Sequence, residues 1–496
     1  MTSASFVSGG QAHPGGDVLL LQGSGPRPPA VWLDGPRARV SAAVTEGGNT
    51  WKARVPLSAA RWGGDELPLP SGEYALRWRP AGDDATVPGQ PLTSDSLSLT
   101  ILDGLRATLD GDQAVLTIGP PTDPAYDSGA GQAALERRYT AGNAPLENAV
   151  FFESFYGRSA SCNPLAIDRE LARVAPAVTR YWSVVDLSVA VPDGAVPVVE
   201  GSPQWWRARG VSRLLVVNDW LRRTFSRRPG QRVLQTWHGT PFKRLALHRP
   251  GCDPRRMVAV VRESRRWDVL LAPSPYGERI LRRAYAFLSR PVWVEGYPRN
   301  DVLATGDGAE IRRQLGLAEG EHVLLYAPTW RDDREQMVDF LDPAELALRT
   351  GAVVLVRGHS RTLPAGRDAE GKRVIDVTGY PDVSRLLLAA DGLITDYSSV
   401  MFDFAVTGKP LYLFTPDLEH YRGELRGFYF DLESHAPGPV VRTFDELVDA
   451  IEDPTTLERY DERYRSWRRK FTARQDGHAA ERVVARILDQ GFVSRD

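Results

Sequence analysis

The chain has 496 residues, of which 42% are hydrophobic, so it is too long for one hydrophobic core and apolar enough to fill two or three. Its formal net charge is only −2, but residues 201 to 300 carry 21 Lys or Arg against six Asp or Glu. That basic segment favours an anionic substrate, a phosphate-rich polymer or an anionic membrane surface. A solvated arginine-rich face is the alternative interpretation.

The cysteine content and the amino-terminal sequence indicate in which cellular compartment the protein is found. Only Cys162 and Cys252 occur, too few and too far apart for a disulfide framework or a four-ligand zinc site, so we interpret both as packing residues in a reducing interior. The first residues lack the basic and apolar regions of a secretion signal, and no run of about 18 apolar residues is present. We therefore expect a cytoplasmic protein, at most peripheral at the inner face of the cell membrane.

Residues 1–140 have the pattern of a small β-sandwich. They are rich in Gly, Pro, Ser and Thr and contain short alternating stretches: "AVWLDG", "TWKARVPL", "EYALRWRP" and "LSLTILDG". The "DGD" at Asp110 to Asp112 lies between two such stretches and predicts a hairpin turn rather than a metal site. This accessory domain carries no catalytic pattern of its own.

From residue 141 onward, short apolar runs alternate with helix-like stretches, which predicts parallel sheets covered by helices. The first series of strand ends is "AVFFES", "RLLVVND", "RVLQTW", "DVLLAPSP" and "VWVEGYP", and the second is "HVLLYAPTW", "AVVLVRGH", "RVIDVTGY", "GLITDYSS" and "PLYLF". We predict two α/β domains, residues 141–305 and 306–496, with a linker near residues 300 to 310. The final stretch "HAAERVVARILDQ" has the apolar spacing of an amphipathic helix.

The segment "QTWHGTPFKR" places His238, Gly239 and Thr240 directly after a predicted strand. Open α/β sheets collect ligands at the carboxyl ends of their strands. A histidine is readily poised to accept a proton near neutral pH, and a glycine permits close backbone approach. A single histidine is often structural, but the neighbouring Lys243 and Arg244 favour an anionic ligand here.

Strand ends in the second domain also carry polar groups suited to phosphate. The segment "YAPTWRDD" contains Thr and Arg, and the segment "LVRGHS" contains Arg and His359. The segment "ITDYSSVMFDF" contains hydroxyl groups and the backbone amides that start a helix. An ordinary helix cap is the alternative interpretation of this third segment. The segment "GYPRND" lies at the junction of the domains, where it either acts as a hinge or contributes an arginine side chain to the cleft. The candidate phosphate-binding and donor-binding residues are Gly239, Thr240, Arg299, Thr329, Arg331, Arg357, Asp396, Ser398, Ser399 and Asp403.

Several common site motifs are absent from the sequence. It has no Walker A loop, no G-x-G-x-x-G fingerprint, no G-x-S-x-G elbow and no H-E-x-x-H pair. Asp332 and Asp333 are adjacent acidic residues near the suspected cleft, but the His and Arg side chains expected beside them are an unusual set for holding a cation. We assign no metal and expect no cofactor.

Taken together, these segments resemble the CDP-glycerol glycerophosphotransferases, a family that includes teichoic acid and related capsule polymerases. The matching segments run in the family's order over about residues 145 to 485: "NAVFFESFYGRSASCNPLAI", "TWHGTPFKRL", "APSPYGERIL", "GYPRNDVL", "YAPTWRDD", "VRGHS" and "DVSRLLLAADGLITDYSSVMFDFAVTGKPLYLF". The resemblance implies a GT-B fold, two Rossmann-like domains facing a central cleft, with the CDP-linked donor mainly on the second. It also implies that His238 and His359 are essential for transfer and that Ser398 and Ser399 belong to the donor-phosphate loop. Two positions depart from the family pattern: Ser360 follows the second histidine, and "QDG" at residues 475 to 477 replaces Asp-Asp-Gly.

The expected reaction moves a polyol phosphate, glycerol phosphate first among the candidates, from a CDP-linked donor to a hydroxyl of a lipid-linked or polysaccharide acceptor, releasing CMP. Two other functions fit parts of the pattern: a GT-B glycosyltransferase using a nucleotide sugar, and a noncatalytic polymer-binding protein. Nucleic-acid binding lacks a recognised module in this sequence. The pattern specifies neither the polyol nor the acceptor.

Overall fold

The structure is a computed structural model, and it describes residues 2–8, 16–79, 89–251, 253–329, 340–358, 373–425 and 427–496. Residues 331 and 359, two members of the predicted site, lie outside the described residues, as do Cys252, Asp332 and Asp333.

The amino-terminal part folds into an antiparallel β domain. Its strands are β1 (Ser3–Val7), β2 (Val18–Ser24), β3 (Ala30–Asp34), β4 (Arg39–Ser41), β5 (Ala43–Gly47), β6 (Thr50–Pro56), β7 (Ser58–Ala60), β8 (Glu66–Pro68), β9 (Gly72–Arg79), β10 (Gln90–Pro91), β11 (Leu97–Ile101), β12 (Arg106–Asp110) and β13 (Val115–Gly119). The order β1-β2-β6-β5 forms one sheet, and β11-β12-β13-β9-β3-β4 with β10 beside β9 forms another. Alternate residues such as Leu21, Leu33 and Leu116 fill the core between the sheets. The predicted small β domain is confirmed, and the "DGD" stretch is the turn between β12 and β13.

Helix α1 (Gly129–Ala141) leads into the first α/β domain, which is built on a parallel sheet in the order β16-β15-β14-β17-β18-β19-β20. Its elements are β14 (Glu147–Glu153), α2 (Cys162–Val174), β15 (Thr179–Val184), β16 (Val196–Val199), α3 (Pro203–Val211), β17 (Ser212–Val217), β18 (Arg232–Gln235), α4 (Pro254–Ser264), β19 (Val269–Ala272), α5 (Pro275–Ala284) and β20 (Val292–Val294). All five predicted strands of this series are present.

The second α/β domain contains a parallel sheet in the order β23-β22-β21-β24-β25-β26. The elements from residue 301 onward are α6 (Asp301–Thr305), α7 (Ala309–Gln314), β21 (Val323–Ala327), α8 (Pro343–Thr350), β22 (Val353–Val356), β23 (Val374–Asp376), α9 (Val383–Ala389), β24 (Gly392–Thr395), α10 (Val400–Phe404), β25 (Leu411–Phe414), α11 (Leu418–His420), α12 (Leu432–His435), β26 (Val440–Val441), α13 (Phe444–Glu452), α14 (Pro454–Glu458), α15 (Asp461–Phe471) and α16 (Ala479–Asp489), the last of which packs on the first domain. Every residue of β21, β22, β24 and β25 is buried, as in a parallel sheet covered on both faces.

A recurring local pattern starts the helices of both domains. Before α3, α4, α5 and α8, a Ser or Asp side chain accepts a hydrogen bond from a backbone amide of the first turn, and a proline follows at the first helical position. The side chain satisfies an otherwise unpaired amide, and the proline lacks the amide that would be unpaired. These dipeptides fix where each strand-to-helix connection ends.

The segment predicted as a linker, residues 300 to 310, is part of the second domain's packing. It contains α6 and the start of α7, and the side chains of Leu303 and Ile311 are buried in the core that covers this sheet. The two domains are thus joined by ordered helices.

The chain returns to the first domain at its end. Val483, Val484 and Ile487 of α16 pack with residues of α2 and the first sheet, which confirms the predicted amphipathic helix. The carboxylate of Asp301 accepts hydrogen bonds from the amides of Ala479 and Ala480, at 3.0 and 2.8 Å, and so begins this helix. Two chain crossings therefore run side by side between the domains, near residues 296 to 301 and 474 to 480.

Candidate active site

The loop that carries His238 begins where β18 ends, at the carboxyl edge of the first sheet. Trp237, the residue before the histidine, has φ of 54°, in the left-handed region that non-glycine residues rarely adopt. Its amide donates to Oε1 of Gln235 at 2.9 Å, which helps to hold the unusual turn. Such conformations cost about 1 to 3 kcal/mol and persist where the surroundings enforce them.

Four consecutive carbonyl oxygens of this loop, those of residues 236 to 239, are held by buried side chains. Asn163 donates its Nδ2 to the first two, at 3.3 and 3.0 Å. Arg299 donates Nη1 to the carbonyl of residue 238 at 2.7 Å, and the hydroxyl of Tyr297 donates to that of residue 239 at 3.0 Å. Because three side chains from two separate segments bond to the same stretch of backbone, the loop is held by protein groups alone.

The imidazole of His238 is oriented by one short contact. Its Nδ1 lies 2.6 Å from the carbonyl oxygen of Asn218. A carbonyl oxygen can only accept, so Nδ1 carries the proton and Nε2 of the neutral ring is the nitrogen able to take one. The ring is stacked on Trp237 with centroids 4.6 Å apart and touches the edge of Phe155 at 5.6 Å.

Burial lowers the pKa of His238 below its ordinary value of 6.5, since a charged imidazolium would lose its hydration there. The carboxylate of Asp219 and the Asn218 carbonyl act in the opposite direction, while Arg299 lowers the pKa further. The ring is therefore neutral at pH 7. Asp219 is itself held by the hydroxyl of Tyr156, which donates to Oδ1 at 2.8 Å.

Arg299 and Asp403, both predicted for the phosphate-binding set, bond to each other across the domain boundary. Nη2 of Arg299 lies 2.7 Å from Oδ2 of Asp403, and each side chain is only 6% exposed. Nη1 also donates to Sγ of Cys162 at 3.1 Å, and Asn300 donates to the other oxygen of Asp403 at 2.8 Å. Burial by itself would lower the pKa of Arg299, but the Asp403 carboxylate raises it overall, so the guanidinium stays charged. This pair fastens the His238 loop to the second domain.

Asp396 and Arg357 are likewise engaged by backbone groups. The amide of Thr329 donates to both carboxylate oxygens of Asp396, at 2.9 and 3.0 Å, which joins the ends of β21 and β24. Nη1 of Arg357 donates to the carbonyls of Val377 and Tyr380 at 3.2 and 2.8 Å. Burial lowers the pKa of Arg357 to about 10, which leaves it charged at neutral pH.

Ser398 and Ser399 lie half-buried where the two domains meet. Ser399 precedes α10 but makes no side-chain capping bond in the described structure, and Ser398 has only a 3.4 Å contact with the amide of Val400. A Cβ built on Gly239 would lie 2.7 Å from Oγ of Ser399, so only glycine fits at that position without a shift. Thr240 follows, 4% exposed. The predicted residues of the two halves are thus in direct contact.

A second connection between the domains, which we call the strap, lies beside this contact and pairs residues 242–244 with residues 427–429. The amide of Tyr429 donates to the carbonyl of Phe242 at 2.9 Å, and the amide of Arg244 donates to that of Gly427 at 3.1 Å. The ring of Phe242 stacks on Phe428 with centroids 4.3 Å apart and belongs to the second domain's core. The His238 loop therefore ends inside the other domain.

Comparison with known proteins now bears on this geometry. The profile of the family described as CDP-glycerol:poly(glycerophosphate) glycerophosphotransferase matches residues 141–489, which is more than two thirds of the chain. The chain belongs to this family. The β domain lies before the matched residues.

Individual relatives agree with this assignment. The chain is 34% identical over 369 residues to a teichoic acid glycerol-phosphate transferase of Staphylococcus aureus, covering 69% of this chain and 94% of that protein. It is 36% identical over 363 residues to the teichoic acid poly(glycerol phosphate) polymerase of Bacillus subtilis, covering 68% of this chain. The match spans only about half, 48%, of that second relative.

Solved structures of the wall teichoic acid polymerase TagF have the same fold. One variant superposes on this chain with a TM-score of 0.68 at 30% identity, covering 73% of this chain and 94% of that one. A histidine-to-asparagine variant soaked with CDPG gives a TM-score of 0.67 at 30% identity, covering 73% and 93%. The shared architecture is an α/β fold with parallel sheets.

The sequence alone did not identify the residues that hold the histidine. Asn163, Asn218 and Tyr297 were given no role, although each lies in a segment that matched the family or ended a predicted strand. The signal for Asn218 was available, because "RLLVVND" ends in two polar residues at the same sheet edge as His238. Within the described residues, no group of three or more His, Cys, Asp or Glu comes together as a metal site.

Proposed function

We propose that the protein transfers glycerol phosphate from CDP-glycerol to a terminal hydroxyl of a teichoic acid-like polymer, releasing CMP. The family assignment and the names of its relatives support this reaction, and the related TagF structure was soaked with CDPG. The observation that carries the proposal is the imidazole of His238, whose Nδ1 is committed to the Asn218 carbonyl so that Nε2 remains as the proton acceptor.

In the proposed reaction the acceptor oxygen attacks the phosphorus that carries glycerol. The new bond joins that oxygen to phosphorus, the bond from phosphorus to the bridging oxygen of the diphosphate breaks, and CMP departs with the electron pair. Nε2 of His238 takes the proton of the acceptor hydroxyl. A positioned general base contributes typically about 10²- to 10⁴-fold to such a step.

We assign the donor diphosphate to the second domain's half of the site. The hydroxyl of Ser399 lies beside Gly239 of the His238 loop, and both serines directly precede α10. Thr329, Arg331 and His359 complete the proposed donor set by their family motifs. Most of the rate enhancement in phosphoryl transfer comes from positioning and electrostatics, which such hydroxyl, amide and guanidinium donors supply.

The proposed architecture is of the GT-B type. The division at residues 140 and 305 that the sequence predicts remains our proposal for the domain boundaries. It is supported by two parallel sheets whose strand-end loops, those of His238 and Ser399, meet each other, and by the return of α16 to the first sheet.

We also propose a cytoplasmic location with α4 resting on an anionic membrane surface, where a lipid-linked acceptor would be held. Among the described residues, no helix is both long enough and apolar enough to span a bilayer. On α4, Met257 and Val258 are 45% and 66% exposed, and Arg255, Arg256 and Arg262 lie on the same short helix. Exposed apolar groups beside arginines suit the boundary between lipid headgroups and chains.

Vesicle sedimentation tests the membrane proposal. Met257→Asp with Val258→Asp should weaken binding to phosphatidylglycerol vesicles by about ten-fold or more, since burying each side chain contributes about 1.5 to 3 kcal/mol. Leu348→Asp, at a residue 76% exposed on α8, is the matched control and should bind like the parent protein. Equal binding of all three would contradict the proposal.

The reaction itself is tested by incubation with CDP-glycerol, CDP-ribitol and a lipid-linked or oligosaccharide acceptor. We expect CMP and a product heavier by one or more glycerol phosphate units, measured by mass spectrometry. Ribitol phosphate units would change the donor, whereas a glycosidic product with release of a nucleoside diphosphate would contradict the proposed reaction class.

A further inference from the structure

The hairpin formed by β7 and β8 projects from the β domain, outside the part of the chain that matches the family. Its tip contains two consecutive residues in the left-handed region, Trp62 with φ of 57° and Gly63 with φ of 68°. A bulky aromatic residue is costly in that conformation, about 1 kcal/mol or more, so its persistence requires compensating contacts. Those contacts are made with both α/β domains.

The first contact is with the loop that follows β15. Nη2 of Arg61 donates to the carbonyl of Ser188 at 2.7 Å. Beside it, the buried carboxylate of Asp186 accepts from the amide of Ser71 at 2.8 Å and from Nη2 of Arg37 at 3.4 Å. These contacts fix the β domain at the carboxyl edge of the first sheet.

The second contact is with the loop that follows β23. The ring of Trp62 meets that of Tyr380 edge to face, with centroids 5.5 Å apart. A Cβ built on Gly63 would lie 3.7 Å from Cγ of Gln314, which is ordinary van der Waals contact. The carbonyl of Tyr380 is the one that accepts from Arg357, so Trp62 packs on the loop that orients this arginine.

We infer that the tip of this hairpin, Arg61 and Trp62, is an interdomain pin that sets the spacing between the His238 loop and the donor half of the site. Two adjacent residues of one tight turn contact different α/β domains, each at the carboxyl edge of its sheet. The strap at Phe242 joins the β18 side of the cleft, whereas the pin joins the side of β15 and β23. Trp62 is thus a positioning residue, and this role rests on the proposed function.

The consequence for catalysis follows from the placement of the proposed base and the proposed donor site on different domains. The proposed base is on one domain and the proposed donor site on the other, so a change of spacing misaligns the acceptor oxygen and the phosphorus. A misplacement of about 1 Å can cost on the order of 10²-fold in rate. Donor affinity should change little, because the contacts of the hairpin tip are with Ser188, Gln314 and Tyr380, and Arg357 keeps its second bond, to the carbonyl of Val377.

Trp62→Ala, Trp62→Phe and the control Leu99→Ala test the inference in the full chain. Leu99 is 46% exposed on β11 of the same domain. For Trp62→Ala we expect kcat to fall about ten-fold or more while the Kd for CDP-glycerol stays within about two-fold. Trp62→Phe, which keeps a ring against Tyr380, should recover most of kcat, and Leu99→Ala should match the parent protein.

Hydrogen exchange provides a readout that does not depend on activity. Amides of residues 374 to 382 should exchange faster in Trp62→Ala than in the parent protein, with unchanged exchange in β12 and β13. Arg61→Ala, which releases only the first domain, should lower kcat in the same direction without that local change. If Trp62→Ala keeps either the parent kcat or the parent exchange rates, the inference is wrong.

These outcomes distinguish a failure of the proposed interdomain pin from a failure of the proposed reaction. If the parent protein releases no CMP from CDP-glycerol, the proposed function fails, and exchange at residues 374 to 382 still decides whether the hairpin holds that loop. If the parent protein is active and only the exchange result is negative, the pin alone is excluded. Circular dichroism of each variant establishes that the fold is retained.

Discussion

The two halves of the site use their side chains in opposite ways. In the His238 loop, neighbouring side chains hold four backbone carbonyls and leave one imidazole nitrogen for chemistry. In the half that ends at Ser399, the charged side chains of Asp396 and Arg357 hold the backbone, and neutral hydroxyls remain at the surface. One half presents a proton acceptor, and the other presents hydrogen-bond donors.

This difference shows that a charged residue at a strand end does not have to contact the ligand. Arg299, Asp403, Asp396 and Arg357 were all assigned to phosphate from their positions in the sequence, and each bonds to protein groups in the structure. Their charges still contribute to the potential of the cleft, because burial weakens screening by solvent. Their first role is to fix the loops.

The largest expected effect concerns the proton acceptor. His238→Ala should lower kcat by about 10²- to 10⁴-fold, since general-base assistance is lost, while calorimetry should find an unchanged Kd for CDP-glycerol. His322→Ala, at an exposed histidine just before β21, is the control and should keep full activity. Substantial turnover by His238→Ala would assign the chemistry to another group.

The buried ion pair should give the largest effect on stability. Arg299→Ala leaves the carboxylate of Asp403 buried without its charged partner, which costs about 3 to 5 kcal/mol in the free energy of unfolding measured with urea. The exposed pair of Arg313 and Glu310 provides the matched control, and Arg313→Ala should cost about 1 kcal/mol or less. Equal losses would mean that the interdomain pair is no stronger than a surface contact.

The serine half should affect binding more than folding. Ser398→Ala combined with Ser399→Ala should weaken CDP-glycerol binding by about 10²-fold or more, because each of the two hydrogen bonds to a charged group contributes about 1.5 to 3 kcal/mol. Stability should change little, since neither hydroxyl makes a strong bond within the described structure. Ser289→Ala, at an exposed position, controls for loss of a hydroxyl. An unchanged Kd would return the serines to a capping role.

The smallest effect is on pH dependence. A base must be unprotonated, and burial lowers the pKa of His238 below 6.5, so kcat/KM should be level above pH 6.5 and fall only at lower pH. Between the folded pKa and 6.5, the unfolded chain binds more protons, so acid should also reduce the free energy of unfolding. His238→Gln should reduce that acid-side loss. A kcat/KM midpoint above pH 6.5 would contradict this account.

The fold was largely predictable because buried parallel strands leave continuous apolar runs. In the two parallel sheets, the strands missed were β15, which contains Arg and Ser, β16, a short edge strand containing Pro197, and β26, an edge strand of two residues. Apolar spacing identified α16 as amphipathic, but spacing does not say which sheet the apolar face will cover. Its packing on the first sheet depends on a return of the chain that only the tertiary structure reveals.

The site was predictable to the extent that strand ends meet at a sheet edge. That argument selected His238, Gly239 and Ser399, which the structure brings into one place. It could not foresee the partners of each side chain, because Arg299 and Asp403 are 104 residues apart in the chain. Asn163 escaped notice because a neutral amide at a helix start carries no chemical signal until its partners are known.

Phe242 gives the order in which the site can be assembled. Phe242 lies four positions after His238 in the chain, yet its ring is part of the second domain's core and is 1% exposed. The first domain alone would present that ring to water and would leave the end of the loop without its β-like partner at residues 427 to 429. In the proposed mechanism, the site is therefore complete only after the two halves have docked, and a chain holding only the first domain would lack the contacts that complete the His238 loop.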